Sequence, residues 1–338
     1  MSWDRIRGQD AARCTFAAAF AANRFGQAYL LSGPEGVGKR LFARELAKAL
    51  LCEKPPVPLT ACDKCPGCAQ ADAETHPDLL VARKPKDKLE MPIDEMREFC
   101  ARLARKPVRG ARKVGIVEDA DDFNASSANV FLKTLEEPPP GAVLLLIATD
   151  AERQLPTILS RCQVVRFAAL SDTDVAAILE ANGVADATQR ARLAQLAAGS
   201  AGRALALDDD SIWDVRKKLV EGLTGPRVSF QQFAELWAKF HEDAGKESAA
   251  QRARAALVLK FLIEAVQQAL KLSLGASVTG PDAGEETRLR AFAQRVGTDG
   301  LMALLDKCVE ADAHVERRVQ LILVVEAVVE QFWRHAER

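Results

Sequence analysis

The chain has 338 residues, 48% hydrophobic and 28% charged, which is enough apolar material to build cores and argues against disorder. Its 46 Lys and Arg against 47 Asp and Glu leave a net charge of -1 with a pI near 6.5, so nucleic-acid contact would need a local basic patch and a stand-alone DNA binder is disfavoured. The opening MSWDRIRGQDAAR has no leader pattern, and the longest apolar run near the C-terminus, Leu321 to Val329, is broken by Glu326, so a cytoplasmic protein without a membrane span is expected.

Gln27 to Ser32 is a short apolar run without alternation, as expected of a strand buried on both faces of a parallel sheet. It runs straight into Gly33 to Arg40, GPEGVGKR, followed by a helical stripe of Leu41, Phe42, Leu46, Ala49 and Leu50. Strand, glycine loop and helix in that order are what a P-loop needs. Gly33, Gly36 and Gly38 let the backbone wrap an anion, the helix N-terminus supplies positive potential, and Lys39 reaches the terminal phosphates. A working P-loop continues with Ser or Thr, whose hydroxyl ligates Mg²⁺, and here that position is Arg40, which has no lone pair to offer.

Next come Cys52, Cys62, Cys65 and Cys68, spaced C-x9-C-x2-C-x2-C among Pro55, Pro56, Pro58, Pro66 and Gly67. Four soft ligands with turn chemistry between them predict a closed, structural Zn²⁺ site at residues 52–68. Cys14, Cys100, Cys162 and Cys308 lie outside this cluster and are expected in cores or interfaces.

Strands are predicted at Asp78 to Ala82, Lys113 to Glu118, Val143 to Thr149 and Cys162 to Phe167, with a helix from Ser126 to Glu137 stopped by Pro138, Pro139 and Pro140. This is a three-layer α/β domain, residues 1–168. Glu118 and Asp119, at the end of the third strand, stand where a hydrolytic site has Asp followed by Glu. With Thr149 they complete a degenerate nucleotide site, expected to hold ATP or ADP weakly at most, with no secure place for Mg²⁺. Residues 169–208 carry two short helical patterns, a small lid. After Asp208, Asp209 and Asp210 everything reads as helix, notably Gln251 to Leu274 and Val315 to His335, with a glycine-rich link at Gly275 to Gly284, so 209–338 is an all-helical third domain. Leu321, Ile322, Val324, Val325, Val328 and Val329 make its last helix apolar on more than one face.

Several segments together resemble one family. The run Phe131 to Pro139 (FLKTLEEPP), the strand LLLIATD, the triplet Ser160, Arg161, Cys162, and the cysteine cluster ahead of Thr75 to Asp78 (THPD) are similar to the bacterial clamp-loader AAA+ proteins. That resemblance implies an AAA+ domain, a lid and a helical collar domain that assembles with other subunits. It implies that Arg161 acts in trans as an arginine finger on a neighbour's nucleotide site. The family's ATPase subunits, gamma and tau, keep Thr or Ser after the P-loop lysine and an arginine two residues after a Gly-Ser pair in the lid. Here Gly202 holds that place and Arg203 comes one step later. Loss of both features with the finger retained implies the branch that supplies a finger but does not fire its own site. The implied partners are delta and gamma or tau subunits and, through the complex, a sliding clamp and primer-template DNA. The rivals are an ATP-hydrolysing subunit of the same complex, which Lys39, Glu118 and Asp119 favour and Arg40 disfavours; a P-loop small-molecule kinase; and a zinc DNA-binding protein, opposed by Asp63, Asp72 and Glu74 beside Lys64.

Overall fold

The structure, a computed structural model, describes residues 2–85, 88, 90–152, 154–225, 230–243, 248–276, 278, 283–317 and 319–336. The chain divides into two compact units, Met1–Asp208 and Asp209–Arg338. The first is built on five strands, β1 (Ala28–Ser32), β2 (Leu79–Ala82), β3 (Lys113–Val117), β4 (Ala142–Ala148) and β5 (Gln163–Arg166), all parallel in the order β2-β3-β4-β1-β5. β1, β3 and β4 are buried at every residue, which is why their sequences run apolar without alternation; β5 is at the edge and buries only Val165. Each predicted strand begins and ends within one residue of the observed one.

Helices α1 (Asp10–Ala21) and α2 (Lys39–Leu51) share one face of the sheet, where Phe16, Tyr29, Phe42 and Phe167 pack ring against ring at 4.7–5.6 Å between centroids. Strand side chains alternate, so Ala28 and Leu30 point to the other face. There they meet Met96, Phe99 and Leu103 of α4 (Ile93–Leu103) and Phe131 and Leu135 of α5 (Ala125–Glu136), each side chain adding roughly 1.5–3 kcal/mol by its burial. Asn124 caps α5 in a reciprocal pair with Ser127, and the helix ends before three prolines. Neither α1 nor α4 was expected from the sequence, nor was the short α3 (Pro66–Asp72); α6 (Pro156–Leu159) leads into β5.

Two helical patterns were expected in residues 169–208 and three helices are found: α7 (Asp172–Ala181), α8 (Ala187–Ala197) and α9 (Ala201–Ala206). The extra break is at Ala198 and Gly199, both left-handed, with φ of 49° and 79°. A Cβ on Gly199 would stand 2.7 Å from the Leu170 carbonyl oxygen, and Ser200 then caps α9.

The second unit contains α10 (Asp210–Thr224), α11 (Phe230–Glu242), α12 (Ser248–Ser273), α13 (Ala283–Glu316) and α14 (Leu321–Ala336). α13 kinks at Gly297, whose φ of 74° no helix tolerates. The single helix expected from Val315 to His335 is in fact two, because Arg252 Nη1 caps the Val315 and Val319 carbonyls at 3.5 and 3.0 Å. Val324, Val325, Val328 and Val329 are buried inside the unit, while Ile322 and Leu323 remain exposed. Of the expected link at Gly275 to Gly284, residues 277 and 279–282 lie outside the described residues. Cys308 is buried and Cys100 and Cys162 pack against the sheet, but Cys14 is exposed on α1 rather than in a core.

Candidate nucleotide and metal sites

β1 delivers the chain into the glycine loop at the C-terminal edge of the sheet. Gly33 presses on β5's exit, where a Cβ would stand 2.2 Å from the Phe167 carbonyl oxygen. Gly36 and Gly38 are left-handed, φ 75° and 97°, and Gly38 starts α2. Lys39 is buried and folded back on its own loop, its Nζ donating to the Gly33 carbonyl and, at 2.6 Å, to the Pro34 carbonyl. Burial brings its pKa down to about 8 although Asp121 and Glu35 oppose the shift.

Arg40 lies across the two carboxylates that a hydrolytic site would give to magnesium. Its Nε is 3.3 Å from Glu118 Oε2 and its Nη2 donates to Asp119 Oδ1. Glu118 is only 5% exposed at its side chain and is also met by Arg44 at 3.2 Å and Arg83 at 3.3 Å. Those two arginines then share Glu74, at 3.0 Å from Arg44 and 2.6 and 2.5 Å from Arg83. Three guanidinium groups and three carboxylates thus satisfy one another where a divalent cation would sit. Sequence reading missed Glu74, Arg44 and Arg83.

The Thr149 N–H donates to Asp121 Oδ2 at 2.6 Å, and Gln154 holds the other oxygen at 2.7 Å, so Asp121, also missed, is the residue that positions Thr149. α9 closes on the loop from above: Gly202 N–H donates to the Gly36 carbonyl at 3.0 Å, and a Cβ on Gly202 would come within 3.0 Å of Gly36 Cα. A Cβ at 202 would force the Gly36 backbone to give by a few tenths of an ångström to keep this contact. Elsewhere in the unit, Arg161 stands exposed before β5. Its Nη2 meets Glu136 at 2.7 Å and its Nη1 donates to the Thr157 carbonyl at 2.9 Å, so the end of the FLKTLEEPP helix orients it.

The four clustered cysteines converge. The sulfurs of Cys52, Cys62, Cys65 and Cys68 all lie within 4.8 Å of one another, with close pairs at 3.9, 3.9 and 3.5 Å. A tetrahedron with Zn–S near 2.3 Å puts neighbouring sulfurs about 3.8 Å apart, so the donors and their spacing fit a metal ion. The Lys64 N–H, helped by that of Cys65, draws the Cys62 thiol down to about 6. Beneath the cluster, buried Lys48 of α2 reaches Glu45, Asp63 and Asp72 at 3.1, 2.9 and 3.1 Å. The acidic residues around the cysteines therefore anchor the module to α2. In the THPD segment, His76 Nδ1 accepts the Asp78 N–H, and the Asp78 carboxylate accepts those of Val108 and Arg109 at 2.7 and 2.8 Å, a structural role.

A parallel sheet, a glycine loop ending on a lysine and a guanidinium on the carboxylates beside it define a P-loop type of domain whose acidic pair is neutralised within the chain. A family described as DNA polymerase III, delta subunit, matches residues 8–171. The delta' subunit of Pseudomonas aeruginosa is 35% identical over 215 residues, covering 62% of this chain and 65% of that protein. The delta' subunit of Escherichia coli K12 is 33% identical over 229 residues, 67% and 68% of the two chains. The chain belongs to the DNA polymerase III delta' family, and it spans about two thirds of the length of these relatives. It is also 34% identical to the tau/gamma subunit of Haemophilus influenzae over 215 residues, but this is 30% of that protein. Among solved structures, a gamma subunit-related protein of Thermotoga maritima covers 95% of this chain and 99% of its own at 17% identity and a TM-score of 0.48, too loose a likeness to bear on function. Among the described residues no helix is long and apolar enough to cross a membrane.

Proposed function

We propose that the chain is the delta prime subunit of a bacterial clamp loader, a cytoplasmic stator that lends Arg161 to a neighbouring gamma or tau subunit and does not hydrolyse ATP itself. In this reading residues 1–168 are the AAA+ domain, 169–208 the lid and 209–338 the collar that packs with delta and gamma or tau. The loaded substrate is a sliding clamp on primer-template DNA. The observation that carries it is Arg40 bridging Glu118 and Asp119. A magnesium ion bound to nucleotide would have to displace a guanidinium from both carboxylates, and no hydroxyl replaces it as ligand.

Arg161 supports the other half. It is exposed and pre-oriented by Glu136, and a fixed cation can neutralise charge on a phosphoryl group transferring in an adjacent subunit. Zinc at Cys52, Cys62, Cys65 and Cys68 would cross-link four thiolates and stiffen the module without taking part in catalysis. The purified chain should turn over no ATP, whereas brisk hydrolysis by the chain alone would replace this reading with that of a gamma- or tau-type motor. In the complex reconstituted with delta and gamma or tau, Arg161→Ala should depress DNA-stimulated hydrolysis at least tenfold while leaving assembly intact.

A further inference from the structure

Because the strands are parallel, the starts of β1 and β3 lie at the opposite edge of the sheet from the glycine loop. At that edge is a cavity of about 390 Å³, walled by Phe20 of α1, Leu50 of α2, Arg112 ahead of β3, and Pro56, Val57 and Leu59 from the loop between Cys52 and Cys62. The loop is firmly built. Trp3 Nε1 donates to the Leu59 carbonyl at 2.7 Å, Thr60 N–H returns to Val57 at 3.2 Å, and prolines at 55, 56 and 58 restrict the backbone. Yet it leaves Val57 56% exposed beside an apolar pocket, at the small end of the size range for ligand sites.

The polar feature of the pocket is Arg112. Its guanidinium lies 5.3 and 5.4 Å from the ring centroids of Phe20 and Phe25, and among the described residues no carboxylate or hydrogen-bond acceptor meets it. Two of the neighbouring cations are engaged. Arg109 is taken by Glu53 at 3.6 Å and Gln70 at 3.0 Å, and Lys113 donates to the Arg102 and Arg105 carbonyls at 2.9 Å each. No acidic residue occurs between Arg102 and Lys113 to compensate. A half-buried cation held by aromatic faces, with its donors unused and a greasy pocket alongside, complements a carboxylate next to a large apolar side chain.

We propose that this pocket docks a short acidic peptide segment of a partner protein, one carboxylate on Arg112 and an adjacent aromatic or aliphatic side chain against Leu50, Pro56 and Val57. A single-stranded nucleic acid fits less well, since its bases need open aromatic faces to stack on, and here Arg112 already covers the rings of Phe20 and Phe25. This site is independent of the P-loop and gives the cysteine module a role as one wall of a recognition pocket.

The test is fluorescence anisotropy with the metal-replete full chain and a fluorescein-labelled peptide of three aspartates followed by leucine and phenylalanine. Saturable binding is expected, with at least tenfold weaker binding when lysines replace the aspartates and for Arg112→Gln. Val57→Asp, at an exposed position where folding is not at stake, should weaken it comparably. Absence of binding, equal binding of the lysine peptide, or affinity unchanged in both variants would overturn the proposal. So would a twenty-nucleotide single strand that displaces the peptide and itself depends on Arg112, which would make the pocket a nucleic-acid site.

Discussion

The phosphate loop and the cysteine module sit at the two ends of α2, and both announce themselves in sequence by spacing alone, yet they end in opposite conditions. At the loop, the charged side chains that would meet a ligand have found partners within the chain: Lys39 the carbonyls of its own loop, Glu118 and Asp119 the guanidinium of Arg40. At the module, four thiols converge to within 4.8 Å and receive backbone N–H groups but, among the described residues, no side-chain cation, and the nearby carboxylates are turned to Lys48. A ligand site is kept by leaving its donors unspent. A carboxylate pair already holding a guanidinium offers a cation far less.

Stripping the metal should have the largest consequence. Chelation, or Cys68→Ser, is expected to release one equivalent of zinc and cost several kcal/mol, lowering the unfolding midpoint of the first unit by roughly 10 °C. Calorimetry with metal analysis checks this, and an unmoved midpoint would mean the cysteines are not a structural site. Lys48→Met should come next, at roughly 1–3 kcal/mol, because buried Glu45 would lose its buried cation and keep the more exposed Arg5 at 3.4 Å, while Asp63 and Asp72 lose their anchor to α2. Denaturant titration reads that effect, and addition of Glu45→Gln should recover much of it.

Arg40→Thr sharpens the contrast from the other side. Since Arg40 is 56% exposed its ion pairs add under about 1 kcal/mol, so stability should barely change. Magnesium-dependent binding of a fluorescent ATP analogue should rise about tenfold, and no gain over wild type would show that the guanidinium is not what closes the site. A last effect concerns pH. Lys39 has its pKa depressed to about 8 when folded, against about 10.4 unfolded, so between those values the unfolded chain binds more protons. Its contribution therefore opposes folding below pH 8 and is relieved as pH rises toward 10.4. Lys39→Met should flatten the slope of stability against pH within that window and leave it unaltered below.

The backbone of the first unit was legible because it is written locally. Short apolar runs without polar alternation, bounded by turn residues, read as strands, and the exception in burial is β5, an edge strand that hides only Val165; GPEGVGKR lies between strand and helix where a phosphate loop would be. The cysteine spacing predicted convergence, which the sulfur positions bear out. The partners were not legible in the same way. Arg40 meets a carboxylate 79 positions along, and no periodicity joins residues so far apart. Arg83 and Glu118 become predictable only once β2 and β3 are known to pair with Ala82 opposite Val117, for they are the next pair beyond the strand ends. The break at Ala198 and Gly199 was hidden because alanine reads as helix until the Leu170 carbonyl requires the turn.

By itself, then, the order of side chains determined which segments are strands, where an anion loop lies, which cysteines belong together, and that the magnesium alcohol is missing. It could not say what the replacing arginine would do. Only the packing of β3 beside the start of α2 brings Glu118 and Asp119 within reach of Arg40 and converts a missing ligand into an occupied site. The physical reason is that charge neutralisation acts through space over a few ångströms, and only the folded chain sets those distances.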